Sequence, residues 1–217
     1  MTAWSIGPHQ VQLFLGEPQL PVIYLLGEAG QGESVWPLLD SCCTLVEVSG
    51  FDWNRDLSPW PAPRVFAKGD DFSGGADGFL HQLLSEILPK TEAALPFPVA
   101  DRGLAGYSLA GLFSLYALTR TDRFCRAGSF SGSLWYDGFV TYLQNQPRPV
   151  GAKIALSLGD RERRSRNGRM AQIQDCTQQV LYLLQTKNTV TFQLHAGGHF
   201  SQVPQRIAQG IRQLAAL

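Results

Sequence analysis

A serine stands in the segment Gly106-Tyr107-Ser108-Leu109-Ala110-Gly111, between a short apolar run and a helical pattern. A serine at such a strand-to-helix turn is lifted clear of the sheet, and its strained backbone needs small residues two positions to either side. Gly106 and Ala110 provide that space, although glycine is usual at the second position. The N–H of Leu109, at the start of the helix, could then stabilise a developing oxyanion. The pattern predicts that Ser108 is a nucleophile, while a turn with a capping serine explains the motif alone equally well.

A serine nucleophile needs a base, and the base needs an acid that orients it. Downstream of Ser108 the histidines are His195, which ends a predicted strand and is expected to be structural, and His199, in a glycine-rich loop before the last helix. His199 is therefore the predicted base. The acid should follow the preceding strand, where Glu162 is favoured and Asp160 is the alternative. Serine, acid and histidine thus follow three strands in the order that α/β-hydrolases use.

A second glycine-rich loop, Gly27-Glu-Ala-Gly-Gln-Gly-Glu-Ser34, follows an earlier apolar run. It superficially resembles the phosphate-binding loop GxxxxGK[ST], but Glu33 replaces the lysine and would repel phosphate, which argues against a nucleotide site. Loops at this place normally supply the second oxyanion donor. We therefore expect that donor to be a main-chain N–H near Glu28 or Ala29.

These residues require an alternation of strands and helices to position them. Seven apolar runs are predicted strands: 11–15, 21–26, 44–48, 103–107, 127–130, 153–158 and 190–194. Helical patterns cover 78–88, which Pro89 is expected to end, and 109–119, 170–187 and 204–214. Several of the runs are apolar without alternation, which is typical of parallel strands covered on both faces. The prediction is an α/β fold with a compact, mostly parallel sheet and helices on both faces.

Composition narrows the possible classes of protein. The 217 residues are 44% hydrophobic, which suits one domain over 1–217. No apolar run is long enough to span a membrane, and residues 1–10 do not look like a signal peptide. Acidic and basic residues number 18 each, which argues against nucleic-acid binding. The four cysteines show no metal-ligand spacing and no disulfide framework, so we expect reduced thiols, no metal site and a cytoplasmic location.

Blocks along nearly the whole chain resemble the putative-esterase family, the branch of the α/β-hydrolases that includes esterase D and the ferric enterochelin (siderophore) esterases. The blocks are Pro21-Val-Ile-Tyr-Leu-Leu26, Asn54-Arg-Asp-Leu-Ser-Pro59, Gly74-Gly-Ala-Asp-Gly-Phe-Leu80, Glu86-Ile-Leu-Pro89, the serine segment, Phe130-Ser-Gly-Ser-Leu-Trp-Tyr-Asp137, Leu158-Gly-Asp-Arg-Glu162 and Gly197-Gly-His199. Two positions depart from the family pattern: Gly27 replaces a common Asp, and Gly132 a common Pro. The blocks are specific for the family only in combination, since each block alone is weak evidence of the resemblance.

The resemblance implies an α/β-hydrolase fold with little or no lid. It implies ester hydrolysis through an acyl-enzyme on Ser108, with His199 and Glu162, and with no metal or organic cofactor. The alternatives are an acyltransferase or thioesterase that uses the same three residues, and a non-catalytic binding protein on a hydrolase scaffold. The resemblance leaves the oligomeric state open.

The expected partner is a small-molecule ester of the siderophore or small aromatic type. Five arginines could form a basic rim for an anionic substrate: Arg161, Arg163, Arg164, Arg166 and Arg169. The predicted substrate contacts are Arg55, Trp135, Tyr136, Arg163 and Arg164, because aromatic rings can stack and arginine forks bind oxyanions. The alternatives are a solvated arginine loop and aromatic residues that only pack.

Overall fold

The computed structural model describes residues 2–146 and 149–217. Within them, eight strands form one sheet, in the spatial order β1-β2-β4-β3-β7-β8-β9-β10. These strands are β1 (Thr2–Ile6), β2 (His9–Phe14), β3 (Val22–Leu26), β4 (Thr44–Ser49), β7 (Arg102–Tyr107), β8 (Arg126–Phe130), β9 (Lys153–Gly159) and β10 (Thr189–His195). Neighbouring strands pair in parallel throughout the run β4-β3-β7-β8-β9-β10. The strands β1 and β2 join the sheet antiparallel at the edge beside β4. Two short strands, β5 (Pro61–Ala62) and β6 (Phe72–Ser73), form a separate hairpin.

Helices cover both faces of the sheet. They are α1 (Gln31–Val35), α2 (Trp53–Asp56), α3 (Ala76–Gln82), α4 (Leu88–Ala93), α5 (Leu109–Leu118), α6 (Phe139–Asn145), α7 (Gly168–Ala171), α8 (Ile173–Gln185) and α9 (Val203–Ala216). Successive residues of β3 enter different cores: Tyr24 and Leu26 join the core beneath α3, α5, α6 and α8, whereas Ile23 and Leu25 join the core beneath α1 and α9. This two-sided burial explains the unbroken apolar runs and confirms the predicted fold class.

All seven predicted strands are present, and each overlaps its predicted range. The sequence interpretation missed β1, which is mostly exposed along the sheet edge and lacks a continuous apolar run. A turn at Gly7, with a φ of 58°, connects β1 to β2. Because little of β1 is buried, its side chains carry a weaker hydrophobic pattern than those of the central strands.

The expectation that Pro89 ends its helix is wrong. After α3 the chain makes a wide π turn over Leu83–Ile87 and then continues as α4. In this turn the N–H of Leu88 donates to the carbonyl oxygen of Leu83, five residues back. Pro89 lies in the first turn of α4, where the missing N–H of proline does little harm. Likewise the predicted helix over 170–187 is divided, into α7 and α8.

The parallel arrangement determines where functional side chains can meet. The loops after β3, β7, β9 and β10 all leave the carboxyl end of their strands, on the same edge of the sheet. This edge is where α/β folds bind ligands. In the part of the chain that the structure describes, no helix is both long and apolar enough to cross a membrane.

Candidate active site

Ser108 occupies the sharp turn between β7 and α5. Its φ of 59° and ψ of −123° lie in a region that residues with a side chain rarely adopt. A Cβ added to Gly106 would lie 2.4 Å from the Cβ of Ala110, and one added to Gly111 would lie 2.9 Å from the Gly106 carbonyl oxygen. The turn therefore closes only with small residues at these positions, as the sequence pattern predicts.

The loops after β9 and β10 bring an acid and a base to this serine. His199 Nε2 lies 3.1 Å from Ser108 Oγ, and His199 Nδ1 lies 2.7 Å from Glu162 Oε2. Asp160, the alternative acid, instead accepts a hydrogen bond from the N–H of Gly197 at 2.8 Å. Of the two candidate acids, the structure thus places Glu162 and not Asp160 against the histidine.

Glu162 is buried and its second oxygen is fully engaged. Oε1 accepts hydrogen bonds of 2.7 Å from both Ser131 Oγ and the N–H of Gly159. The Nη1 of Arg206 is 3.4 Å from the same oxygen. Burial by itself raises the pKa of Glu162, but the hydrogen bonds and the charge of His199 more than offset this and lower it below the usual carboxyl value. The carboxylate is therefore kept ionised beside the imidazole.

The predicted oxyanion donors are placed differently from one another. Leu109 and Glu28 border the same cavity as Ser108, whereas Ala29 is not among its lining residues. Leu109 opens α5, so its N–H has no acceptor within the helix. The N–H of Gly27 is already bonded to the Val48 carbonyl oxygen at 3.1 Å. Leu109 and Glu28 are therefore the predicted donors that the cavity favours.

A buried carboxylate on β4 holds the loop that carries Glu28. Glu47 accepts from the N–H of Gly30 at 3.0 Å through Oε1 and from the N–H of Gly32 at 2.5 Å through Oε2. A Cβ added to Gly32 would lie 2.8 Å from Glu47 Oε2, so a side chain there would separate the two groups. Burial raises the pKa of Glu47, and the two N–H groups partly oppose that rise.

Two adjoining cavities open at this edge of the sheet. The first, called here the serine cavity, has a volume of about 410 Å³, and its lining includes Ser108, Glu28, Trp53, Phe66, Trp135 and Met170. The second, called here the arginine groove, has a volume of about 480 Å³, and its lining includes Arg161, Arg164 and Arg166. Both cavities share His199, Phe66 and Trp135 as part of their walls. A substrate that reaches Ser108 can therefore extend past the histidine toward the arginines.

Three of the predicted substrate contacts lie outside the lining of both cavities. Tyr136 is only 2% exposed and packs in the core, and its hydroxyl donates to the Trp60 carbonyl oxygen. Arg55 pairs with its neighbour Asp56 at 2.7 Å and lines neither cavity. Arg163 is exposed and also lines neither cavity, although its neighbour Arg164 lines the arginine groove.

The other two predicted contacts, Trp135 and Arg164, do line the site. Arg169, included in the predicted basic rim, is instead tied to Asp137 at 2.8 Å, and its guanidinium lies over the Trp135 ring. Arg64, from the loop between β5 and β6, lines the serine cavity and was missed. Its position in a long irregular segment gave no periodic signal.

Two residues that contact the candidate machinery were also missed. The Oγ of Ser133 lies 3.3 Å from Ser108 Oγ, and the Ser133 N–H donates to the Ser108 carbonyl oxygen at 2.9 Å. The Tyr107 hydroxyl donates to the His199 carbonyl oxygen at 2.5 Å. Both residues stand in segments that the sequence singled out, but only the fold shows which atoms they meet.

A protein of Bacillus subtilis (strain 168), described as "Uncharacterized protein YbbA", is 28% identical over 143 residues; the match covers 64% of this chain and 57% of that protein, less than two thirds of its length. The siderophore hydrolase EstA from Aspergillus nidulans is 21% identical with a TM-score of 0.76, over 99% of this chain and 94% of that one. An IroE-like serine hydrolase from Shewanella oneidensis is 20% identical with a TM-score of 0.78, over 96% and 76%.

At such identities the structural likeness establishes the fold, whereas the substrate has to be inferred from the residues of the site. The sequence model of the family described as "Putative esterase" matches residues 43–202. This range takes in the chain from the start of β4 to the beginning of α9, including Ser108, Glu162 and His199. The protein belongs to the putative-esterase family.

Proposed function

We propose that the protein hydrolyses carboxylic esters through a covalent acyl-enzyme on Ser108. The observation that carries this proposal is the pair of contacts at His199: 3.1 Å from Nε2 to Ser108 Oγ, and 2.7 Å from Nδ1 to Glu162 Oε2. These distances match the arrangement that activates a serine. Membership of the esterase family supports the same reaction.

In the first half of the reaction, His199 removes the Ser108 proton as Oγ attacks the ester carbonyl carbon. The carbonyl oxygen becomes an oxyanion, which accepts hydrogen bonds from the Leu109 N–H and from a loop N–H at Glu28. His199 then gives its proton to the alcohol oxygen as the carbon–oxygen bond breaks. The products of this half are the free alcohol and an acyl ester on Ser108.

In the second half, water gives a proton to His199 and attacks the acyl carbon. The second tetrahedral intermediate collapses, Ser108 Oγ recovers the proton from His199, and the carboxylic acid leaves. Glu162 accepts the Nδ1–H of His199 throughout, so that Nε2 faces the serine. Its carboxylate also stabilises the imidazolium that forms in each half.

The two cavities support a proposal for the class of substrate. The serine cavity has aromatic walls that include Trp53, Phe66 and Trp135, which suits a planar or apolar acyl group. The arginine groove beyond His199 offers guanidinium groups that bind carboxylate or catecholate oxygens. A siderophore-type or small aromatic ester with anionic groups on its alcohol portion fits both cavities.

A fluorophosphonate probe tests the nucleophile directly, because it reacts covalently with an activated serine. We expect wild type to be labelled with one probe per chain and Ser108→Ala to be unlabelled and inactive on p-nitrophenyl butyrate. The matched control is Ser85→Ala, on an exposed serine of the π turn, which should label and hydrolyse like wild type. A folded wild type that takes up no probe would instead favour a binding protein on a hydrolase scaffold.

A second assay separates hydrolysis from acyl transfer on the same residues. The p-nitrophenyl ester is turned over with and without added alcohol, and a thioester is tested in parallel. Release of free acid with no ester product supports hydrolysis. Transfer of the acyl group to the alcohol, or a strong preference for the thioester, would favour the acyltransferase or thioesterase.

A further inference from the structure

Arg206 is a buried cation in a helix face that is otherwise apolar. It is 2% exposed, and the other buried residues of α9 are Ile207, Ala208, Gly210, Ile211 and Leu214. Removing a guanidinium from water is unfavourable unless charged or polar groups compensate it. The position of Arg206 therefore depends on what its guanidinium touches.

The guanidinium of Arg206 contacts groups that adjoin the proposed catalytic residues. Nη1 lies 3.4 Å from Glu162 Oε1 and donates to Tyr107 Oη at 3.2 Å. Nη2 donates to the Ala196 carbonyl oxygen at 3.0 Å. The Tyr107 hydroxyl in turn donates to the carbonyl oxygen of His199. The Arg206 side chain thus connects three parts of the site: Glu162, the start of the loop between β10 and α9 (called here the histidine loop) and, through the Tyr107 hydroxyl, His199.

The histidine loop needs such support, because two glycines precede the histidine. Gly197 has a φ of 108°, and an added Cβ at Gly198 would meet no atom within 4 Å. Glycines contribute no side-chain packing and leave the backbone the most conformational freedom. Holding His199 against Ser108 therefore depends on contacts from outside the loop, and Arg206 and Tyr107 supply two of them, beside the contact of Asp160 with the Gly197 N–H.

We infer that Arg206, acting partly through Tyr107, is a positioning residue that holds His199 and Glu162 in reacting geometry. This inference rests on the proposed function. Its guanidinium also lies 3.4 Å from Glu162 Oε1 and balances part of the charge of that carboxylate. The other ionisable groups near this cluster are Tyr107 on β7 and His195 at the end of β10, with Asp160 and Arg161 on the loop after β9.

The test compares Arg206→Met, Arg206→Lys and Tyr107→Phe with wild type. Arg206→Met should lower kcat and the rate of fluorophosphonate labelling by about a hundredfold, as misplacement of a reacting group does, with KM within threefold of wild type. It should also move the acidic limb of the kcat/KM profile to higher pH, because the Glu162 charge is no longer balanced. Arg206→Lys keeps the charge, so the limb should stay while kcat falls.

Tyr107→Phe removes one hydroxyl and leaves no buried charge without a partner, so it should fold even if Arg206→Met does not. We expect about a tenfold loss in kcat, which is typical of a supporting hydrogen bond behind a functional group. The matched control is Arg212→Met, on the same helix, whose guanidinium bonds to Leu38 and Asp40 far from the site. This control should keep the kcat of wild type.

Two outcomes would overturn the inference. One is a folded Arg206 or Tyr107 variant with kcat within twofold of wild type and, for Arg206→Met, an unchanged pH profile. The other is a loss confined to KM. Wild type that takes up no probe would refute the proposed function, whereas normal labelling of wild type and all variants would refute only the role of Arg206.

Discussion

Asp160 and Glu162 leave the end of β9 only two residues apart, yet they contact different groups of the same loop, the one between β10 and α9. Asp160 accepts from the N–H of Gly197 and so holds the backbone of the histidine loop. Glu162, one short 3₁₀ turn further, reaches the imidazole of His199. The Asp160 carboxylate is half exposed and contacts the main chain, whereas the Glu162 carboxylate is buried and contacts the imidazole.

This division predicts different results for two matched amide substitutions. Glu162→Gln removes the charge that stabilises the imidazolium, so kcat should fall by roughly a thousandfold or more, by analogy with amide replacement of a triad acid. Asp160→Asn retains an acceptor for the Gly197 N–H, so kcat should fall less than about fivefold, the value of one neutral hydrogen bond. Steady-state kinetics on one p-nitrophenyl ester compares them, and equal losses would contradict the assignment of the acid.

The lowered pKa of Glu162 also predicts how stability responds to acid. A carboxyl group that binds its proton less readily in the folded state stabilises the fold above its ordinary pKa. That contribution is lost as the pH falls from the ordinary value through the lowered one. Urea denaturation from neutral pH to about pH 3 should therefore show a smaller acid-induced loss in Glu162→Gln than in wild type. If the unfolding free energies of wild type and Glu162→Gln change with pH in parallel, Glu162 does not contribute to the acid dependence of stability.

The central strands could be predicted because each is buried on both faces. In β3 every residue is buried, so no choice of face interrupts the apolar run. The separation of Arg163 from Arg164 could not be predicted, because it depends on the direction of a single 3₁₀ turn. The link between Tyr107 and Arg206 spans 99 residues, and nothing local in either segment indicates the other. Sequence patterns therefore singled out Ser108, His199 and Glu162, which the structure brings together, while the supporting contacts required the fold.

Ser133 offers a prediction about the nucleophile that the sequence did not suggest. Its hydroxyl lies 3.3 Å from Ser108 Oγ and can donate to that oxygen while Ser108 donates to His199. Ser133→Ala removes this bond and keeps the main-chain N–H bond to Ser108. We expect kcat and the labelling rate to fall about fivefold, which corresponds to one neutral hydrogen bond of about 1 kcal/mol. Rates equal to those of wild type would show that the contact has no role.

The two neighbouring arginines give an internal control for substrate charge. Arg164 lines the arginine groove and Arg163 does not. Arg164→Ala should raise KM about tenfold for an ester with an anionic alcohol portion, consistent with the loss of one charge-assisted contact, and leave KM for a neutral ester unchanged. Arg163→Ala should leave both values unchanged. Equal effects of the two substitutions, or equal effects on both esters, would exclude the groove as the anion site.

The buried carboxylate of Glu47 holds the loop that carries Glu28, the residue of the proposed second oxyanion donor. Glu47→Gln has only one acceptor oxygen for the two N–H groups of Gly30 and Gly32, and its NH₂ group would face a second donor. One buried N–H is then left unsatisfied, so unfolding free energy should fall by about 1–3 kcal/mol. Because the loop carries the proposed donor at Glu28, kcat should fall about tenfold while KM changes little.

The pH dependence of this variant has the opposite sign to that of Glu162→Gln. The pKa of Glu47 is raised, so its contribution to stability is complete below the ordinary carboxyl pKa and is lost as the pH rises through the raised value. Glu47→Gln cannot titrate, so its deficit in stability relative to wild type should be largest in acid and shrink as the pH rises. Glu33→Gln, at an exposed position in the first turn of α1, should not show the loss in kcat. A stability deficit of Glu47→Gln that grows as the pH rises would contradict a raised pKa of the buried Glu47 carboxyl.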